Sequence, residues 1–196
     1  MSNQPENRRV RMTKRLMKDA MLELLEKQDL AGISVTAICN TADVHRSTFY
    51  KYYSDPANLL DEIERDFLER IPFPPAILDE RNRKQLLTGA TAFFDYVKEN
   101  KRAFLILLRE SSGNSFTSHM VEFLCSGYVP VHSGENELSN HFISLYIAYG
   151  AVGLMREWVE SGFPFSSQEI AKLVFSLSWK LSSYDLPQHD SFKIEG

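Results

Sequence analysis

Residues 33–53 read ISVTAICNTADVHRSTFYKYY and predict two short helices joined by a tight turn. Ser34 can cap the first helix, because its hydroxyl can accept a hydrogen bond from an otherwise unpaired amide of the first turn. Asp43 lies in the turn, and aspartate is among the few non-glycine residues that tolerate a left-handed backbone. Two helices joined in this way form a helix-turn-helix, whose second helix enters the major groove of DNA.

The second helix of this pair separates inward-facing from outward-facing side chains. Val44, Phe49 and Tyr53 are predicted to point inward, since Phe49 and Tyr53 are four residues apart on one helical face. The planar guanidinium of Arg46 matches the two acceptors of guanine, and neighbouring hydroxyl groups can bind phosphates or base edges. The residues left for the exposed or flanking surfaces are His45, Arg46, Ser47, Thr48, Tyr50, Lys51 and Tyr52.

From about Thr13 to Leu60, the order of buried and exposed residues resembles the TetR/AcrR family of bacterial transcriptional regulators, including the run Thr48-Phe49-Tyr50 and the aromatics after it. The resemblance implies that the outward set from His45 to Tyr52 lines the DNA surface, and that Ser34 and Thr36 approach the DNA backbone. A helical corner with a merely solvated charged face is the alternative, which a match across three helices disfavours.

Pro56 departs from the family pattern, because the family commonly has a phosphate-contacting lysine at this position. Asp55 and Pro56 still form a good helix start, as cap and first residue. Since one cation is lost, we expect other basic residues to carry more of the phosphate affinity. These residues are Lys51, Arg8, Arg9, Arg11, Lys14 and Arg15.

Charge is distributed unevenly over the 196 residues, whose net charge is −4. Residues 1–53 hold nine basic and six acidic residues, whereas the rest hold thirteen and twenty. A basic N-terminal part on an acidic body concentrates DNA contact at one end. The uncharged stretch 142–155 is shorter than the roughly twenty residues needed to cross a membrane, and the N-terminus has no apolar signal-peptide core. We therefore expect a soluble cytoplasmic protein without a membrane partner.

Helical periodicity without convincing strand alternation predicts an all-α fold. The prolines within residues 71–75 end a fourth helix, since consecutive prolines cannot continue one. The expected organisation is a helix-turn-helix domain over 9–54, a connecting helix over 55–71 and a C-terminal regulatory and dimerisation domain over 76–185. Its helices are predicted at 80–99, 101–111, 115–127, 136–161 and 167–182, the last after a capping box that begins at Ser166.

The C-terminal half is rich in large apolar and aromatic residues, and the resemblance implies a small-molecule effector among its helices. For any single aromatic, ordinary core is the better interpretation. The candidates for lining a pocket are Phe93, Phe94, Phe104, Phe116, Met120, Phe123, Phe142, Tyr146 and Tyr149. Their side chains favour an apolar or aromatic effector.

Residues 142–155 are apolar around nearly the whole helical circumference, so this helix must be covered on both sides. Gly150 and Gly153 would allow a second backbone to approach closely. A homodimer is therefore predicted, and its two-fold symmetry matches a pseudo-palindromic operator in double-stranded DNA. The interface candidates are Phe142, Gly150, Gly153, Leu154, Trp158, Val174, Leu177 and Leu181.

Catalytic signatures are missing from the sequence: it has no Gly-rich phosphate loop, HExxH motif, nucleophile elbow or clustered Cys/His set. We interpret Cys39 and Cys125 as buried thiols and the Asp61-Glu62 pair as solvated helix surface. No catalytic residue, metal or cofactor is expected. The sequence predicts a DNA-binding regulator, a repressor in preference to an activator, whose operator binding responds to the effector. The alternative is a helical protein-interaction module or coactivator that retains the regulator fold.

Overall fold

The computed structural model describes residues 8–72, 83–109, 115–126 and 137–182. Within those ranges the structure contains helices and no strand, so the all-α prediction is confirmed. A short 3-10 turn, Leu30–Gly32, follows the first helix. The helices are α1 (Arg8–Leu25), α2 (Val35–Ala42), α3 (Arg46–Tyr50), α4 (Pro56–Glu69), α5 (Arg83–Glu99), α6 (Lys101–Leu107), α7 (Ser115–Cys125), α8 (Glu137–Glu160) and α9 (Ser167–Ser182).

The chain divides into two compact units. The first unit comprises residues 1–71 and 100–119, and so contains α1 to α4, α6 and the beginning of α7. The second unit comprises residues 72–99 and 120–196, and contains α5, the rest of α7, α8 and α9. This division places residues 100–119, which lie within the expected C-terminal domain over 76–185, in the same compact unit as the helix-turn-helix.

Aromatic packing explains why α6 belongs to the first unit. Phe104 of α6 is fully buried, and its ring lies 6.0 Å from the ring of Phe67 on α4 and 5.7 Å from that of Phe116 on α7. Both contacts are edge-to-face, a favoured geometry that adds to the apolar area these rings bury. The core of the first unit therefore extends from α4 onto α6 and α7.

Polar contacts join α6 to the end of α1. Arg102 donates a hydrogen bond to Glu26 at 2.6 Å, and Arg109 donates to the carbonyl of Leu25 at 3.3 Å. The hydrogen bond from Arg102 holds the pKa of Glu26 below its usual range. A cation at the C-terminal end of α1 also satisfies a carbonyl that has no partner within the helix.

Trp158 of α8 organises the core of the second unit. Its side chain is 2% exposed, and its ring lies 5.4 Å from that of Phe94 on α5 and 4.7 Å from that of Phe163. The indole N–H donates to the carbonyl of Phe165 at 2.9 Å. Trp158 was predicted to lie in a dimer interface, and that prediction is wrong because this side chain is enclosed within its own unit.

The turn between α8 and α9 follows from local sequence. Gly162 and Phe163 have positive φ angles of 78° and 64°. The Phe163 amide donates to the Trp158 carbonyl at 2.9 Å, the pairing that closes a helix with a left-handed glycine. The capping box of α9 is confirmed, since the Ser166 amide donates to Glu169 at 2.8 Å and the Glu169 amide donates to the Ser166 hydroxyl at 3.3 Å.

Two further properties are observed within the described residues. None of their helices has both the length and the apolar content that crossing a membrane requires. No group of three or more His, Cys, Asp or Glu among them is arranged to hold a metal ion. Cys39 is buried and Cys125 half-buried, and burial raises the pKa of both thiols.

Candidate nucleic-acid interface

The helix-turn-helix is fixed by its caps and its turn. Ser34 precedes α2, and its hydroxyl accepts a hydrogen bond from the Ala37 amide at 3.1 Å. Asp43 ends α2 with φ 51° and ψ 51°, which is the left-handed conformation predicted for this turn. The Val44 amide then donates to the Cys39 carbonyl at 3.0 Å and closes α2, and residues 43–45 connect it to α3.

Buried aromatic rings hold α3 in place. Phe49 is fully buried, Tyr53 is 2% exposed, and their ring centroids lie 5.6 Å apart. The predicted inward positions of Phe49 and Tyr53 are confirmed, and Val44 is half-buried. The ring centroid of Tyr50 lies 5.7 Å from that of Phe49 in an edge-to-face arrangement, and Tyr50 remains 53% exposed. Because one side of α3 is anchored in this way, its opposite side is presented to solvent in a defined orientation.

The predicted DNA-contacting residues belong to α3 and its flanks, apart from Ser34 and Thr36 at the start of α2. Arg46 and Tyr50 are four residues apart, so they share one helical face. The half-buried members of the predicted set are Thr48 and Tyr52. The exposed members are Ser34, Thr36, His45, Arg46, Ser47, Tyr50 and Lys51. The surface thus offers one guanidinium, one ammonium and several hydroxyl groups, which are donors suited to phosphates and base edges.

The start of α4 is built as the sequence indicates. Asp55 accepts a hydrogen bond from the Asn58 amide at 2.8 Å, and Pro56 occupies the first helical position. This hydrogen bond lowers the pKa of Asp55. The helix start therefore does not depend on the lysine that the family commonly has at this position.

Four of the five basic residues predicted on the first helix are exposed: Arg8, Arg9, Arg11 and Arg15. Lys14 differs, since its side chain is 24% exposed and its ammonium lies 3.4 Å from both carboxylate oxygens of Glu62. The interpretation of Glu62 as solvated surface is also wrong, because its side chain is 18% exposed and contacts Lys14 and Lys18. Sequence reasoning missed this pairing, which joins residues 48 positions apart.

A second exposed surface lies on α8 and α9. Phe142, Tyr146 and Tyr149 are 60%, 69% and 55% exposed, respectively. They line an open groove of about 1200 Å³ between the two helices. Apart from Trp158, every predicted interface residue lines this groove: Phe142, Gly150, Gly153, Leu154, Val174, Leu177 and Leu181.

The nine candidate pocket residues are distributed over several places. Phe104 and Phe116 pack on each other in the first unit. In the second unit, Phe94 and Met120 are buried and Phe93 and Phe123 are half-buried. The remaining three, Phe142, Tyr146 and Tyr149, lie in the α8–α9 groove. Phe94, Phe104 and Phe116 pack within their own units, which fits the interpretation of single aromatic residues as ordinary core.

Comparison with known proteins shows which regulators this chain is similar to. Residues 84–179 match the TetR_C_8 family model, described as the transcriptional regulator C-terminal region. The chain is 39% identical over 172 residues to the HTH-type transcriptional regulator YxbF of Bacillus subtilis (strain 168), covering 82% of this chain and 43% of that protein. An HTH-type transcriptional regulator of Haemophilus influenzae is 25% identical over 111 residues, covering 53% and 52%. The chain therefore spans about half the length of the curated relatives it matches.

A solved structure shares the fold of the chain. The TetR transcriptional regulator from Streptococcus agalactiae 2603V aligns with a TM-score of 0.67 at 17% sequence identity, covering 87% of this chain and 96% of that one. The helix-turn-helix geometry, the matched C-terminal region and the shared fold agree with one another. The C-terminal region of the chain matches a TetR-type transcriptional regulator model, and the chain shares the fold of a solved TetR regulator.

Proposed function

We propose that this chain binds a pseudo-palindromic DNA operator as a homodimer and thereby regulates transcription. The observation that carries the proposal is the outward side of α3, where Arg46, Tyr50 and Lys51 are exposed above a fully buried Phe49. Arg46 is suited to the acceptors of guanine and Lys51 to phosphate, so specificity and salt-dependent affinity come from different residues. Both curated relatives are named HTH-type transcriptional regulators, which supports this assignment.

The α8–α9 groove supports dimerisation. Exposed aromatic side chains concentrated in one patch are uncommon on monomers and mark an interaction surface. Among the described residues, apart from the chain neighbours and the helix's own backbone, no atom lies within 4 Å of a Cβ added at Gly150 or Gly153, so no described contact requires glycine there. In a two-fold dimer the same patch covers its own copy, and each subunit then presents one recognition helix to one half-site.

A small-molecule effector is proposed to modulate operator binding. Such a ligand can change DNA affinity only if it binds the DNA-competent conformation and the DNA-incompetent conformation with different affinities. Repression is the proposed outcome of operator binding, because a dimer on its operator excludes other proteins from that DNA. A protein with this function acts where the bacterial chromosome lies, in the cytoplasm.

Selection from a pool of random DNA duplexes tests the operator proposal. We expect the full chain to enrich a pseudo-palindrome, with two chains per duplex and an affinity that falls steeply as salt rises. An Arg46→Ala/Lys51→Ala double variant, folded to the same extent, is the matched control and should enrich nothing. If a folded wild-type protein bound no duplex even at low salt, the proposal would fail and the protein-interaction module would become the better assignment.

The effector proposal has a separate test, since binding linkage is reciprocal. A small molecule that raises the melting temperature in a screen should alter operator affinity, and the operator should alter affinity for that molecule by the same factor. A tight ligand without such coupling would make its binding site incidental to regulation.

A further inference from the structure

Alternating charges run between α1 and α4, and we name these residues the α1–α4 charge ladder: Lys14, Lys18, Glu62, Asp66 and Arg70. Lys18 lies 2.6 Å from Glu62 and 2.8 Å from Asp66, and Arg70 lies 3.5 Å from Asp66. Lys14 is the first cation of the ladder, 3.4 Å from Glu62. Spacings of four residues on each helix bring these groups into one row.

Lys14 also contacts the aromatic residues that follow the recognition helix. Its ammonium lies 5.8 Å from the ring centroid of Tyr52 and 5.9 Å from that of Tyr53. Lys51, which is predicted to contact phosphate, lies 5.6 Å from the same Tyr52 ring. Lys14 and Lys51, a cation of the proposed DNA surface, therefore lie near the same Tyr52 ring. The charge of Lys14 is nevertheless compensated by a carboxylate of α4.

The two lysines are bound unequally by Glu62. Lys18 approaches one oxygen at 2.6 Å, whereas Lys14 lies 3.4 Å from both oxygens, at the long end of hydrogen-bond distances. Burial raises the pKa of Glu62, but hydrogen bonds and charge from Lys18 and Lys14 outweigh it, so the pKa lies below its usual range. Glu62 is thus an anion at neutral pH, and Lys18 neutralises it more closely than Lys14 does.

The helix that carries Glu62 is tied to the other helices of the first unit. Phe67 of α4 packs on Phe104 of α6, and Glu64 of α4, which is 1% exposed, lies 2.8 Å from the Nδ1 atom of His119 on α7. A shift of α6 or α7 would therefore displace α4. Because Glu62 lies on the same helix, such a shift would change the Lys14–Glu62 distance.

We propose that Glu62 withholds Lys14 from the DNA backbone, so that the position of α4 sets the number of phosphate contacts each subunit makes. A phosphate could accept a shorter charge-assisted hydrogen bond from Lys14 than the 3.4 Å contacts that Lys14 makes with Glu62. Lys18 remains to neutralise Glu62 after Lys14 has left. This inference rests on the proposed DNA binding, and it names a residue pair through which that binding is regulated.

The salt dependence of binding to a random-sequence DNA duplex tests the inference, using the full chain. Glu62→Gln keeps the shape of the side chain and removes its charge, so Lys14 becomes available to a phosphate. One extra contact per subunit, two per dimer, should steepen the slope of log affinity against log salt by about 1.8. The added loss of affinity between 50 and 200 mM salt is then roughly tenfold relative to wild type.

Asp66→Asn is the matched control, because it removes a carboxylate of the same helix that pairs with Lys18 and Arg70. Its slope should equal that of wild type. Lys14→Gln in the wild-type background should also leave the slope unchanged, and in the Glu62→Gln background it should abolish the added slope. A merely structural role of Glu62 would lower the melting temperature without changing the slope.

Each outcome of this experiment is decisive. An unchanged slope in folded Glu62→Gln overturns the inference. A lower slope for Lys14→Gln in the wild-type background also overturns it, since Lys14 would then already contact DNA in wild type. If Glu62→Gln does not fold, the Lys14→Gln measurement decides alone, and an unchanged slope supports the inference. Failure of wild-type protein to bind any duplex would instead overturn the proposed function.

Discussion

Two exposed surfaces of the chain are built from opposite kinds of side chain. The outward side of α3 presents Arg46, Tyr50 and Lys51, whereas the α8–α9 groove presents aromatic and aliphatic groups such as Phe142 and Leu177. A polar surface held rigidly suits a charged, hydrogen-bonding ligand, and an exposed apolar patch suits an apolar partner. The contrast therefore supports the proposal that α3 binds DNA and that the groove binds a second copy of the chain.

The two surfaces also lie in different compact units, so a substitution can test one of them without altering the other. Operator binding by a dimer requires both. Variants of α3 should lose DNA affinity while remaining dimeric, and variants of the groove should lose the dimer first and DNA affinity as a consequence.

The largest effect is expected in the groove. Leu177→Asp should weaken the dimer by roughly a hundredfold or more, because a charge would be buried against apolar side chains without a partner. Operator affinity should fall with it, although α3 is unchanged. Sedimentation equilibrium combined with duplex titration measures both quantities.

Ser176→Asp is the control for this variant, since Ser176 is exposed on α9 and is not among the residues that line the groove. It adds the same charge and should leave the dimer intact. Equal loss of dimer in both variants would show that the groove is not the interface.

A smaller effect is expected on α3. Arg46→Ala should cost about 1–3 kcal/mol of specific binding and relax base preference at one position in each half-site. Lys51→Ala should instead weaken binding to all sequences similarly and reduce the salt slope. Titrations on the selected operator and on random duplexes separate the two results, and unchanged binding in both variants would remove α3 as the DNA contact.

The two helix caps should have smaller and local effects. Ser34→Ala removes the cap of α2 and Ser166→Ala removes the cap of α9, each at a cost of about 1 kcal/mol. Hydrogen exchange should show lost protection at α2 in the first variant and at α9 in the second. Loss of protection spread over both units in either variant would mean that the units do not respond separately.

The smallest effect concerns acid stability. Hydrogen bonds from the Ser166 side chain and amide lower the pKa of Glu169 in the folded chain. The stabilisation is therefore present above the ordinary glutamate pKa and is lost as pH falls through the lower folded value. Urea denaturation at pH 7 and at about pH 3 should show a smaller decline in stability for Glu169→Gln than for wild type. An equal decline would exclude this contribution.

Local chemistry explains why the helix-turn-helix could be predicted from sequence. The cap at Ser34, the left-handed turn at Asp43 and the four-residue spacing of Phe49 and Tyr53 each involve residues close together in the chain. The same holds for the capping box at Ser166. The sequence also indicated an apolar surface on α8, because residues 142–155 are apolar around nearly the whole helix.

Contacts between distant residues could not be predicted in this way. Lys14 and Glu62 look like ordinary solvated charges in the sequence, and only the packing of α1 against α4 brings them together. Glu64 is buried, although glutamate is usually exposed. Its partner is His119, which lies 55 residues further along the chain. Trp158 is a residue type that suits an interface, but in the structure the rings of Phe94 and Phe163 enclose it.

The most direct test of the account is the stoichiometry of the protein, free and bound to the duplex it selects, measured by sedimentation for wild type and Leu177→Asp. The account predicts a wild-type dimer at micromolar concentration, two chains on each pseudo-palindrome, and a Leu177→Asp monomer that binds it weakly. A wild-type monomer that bound the pseudo-palindrome with full affinity would contradict it.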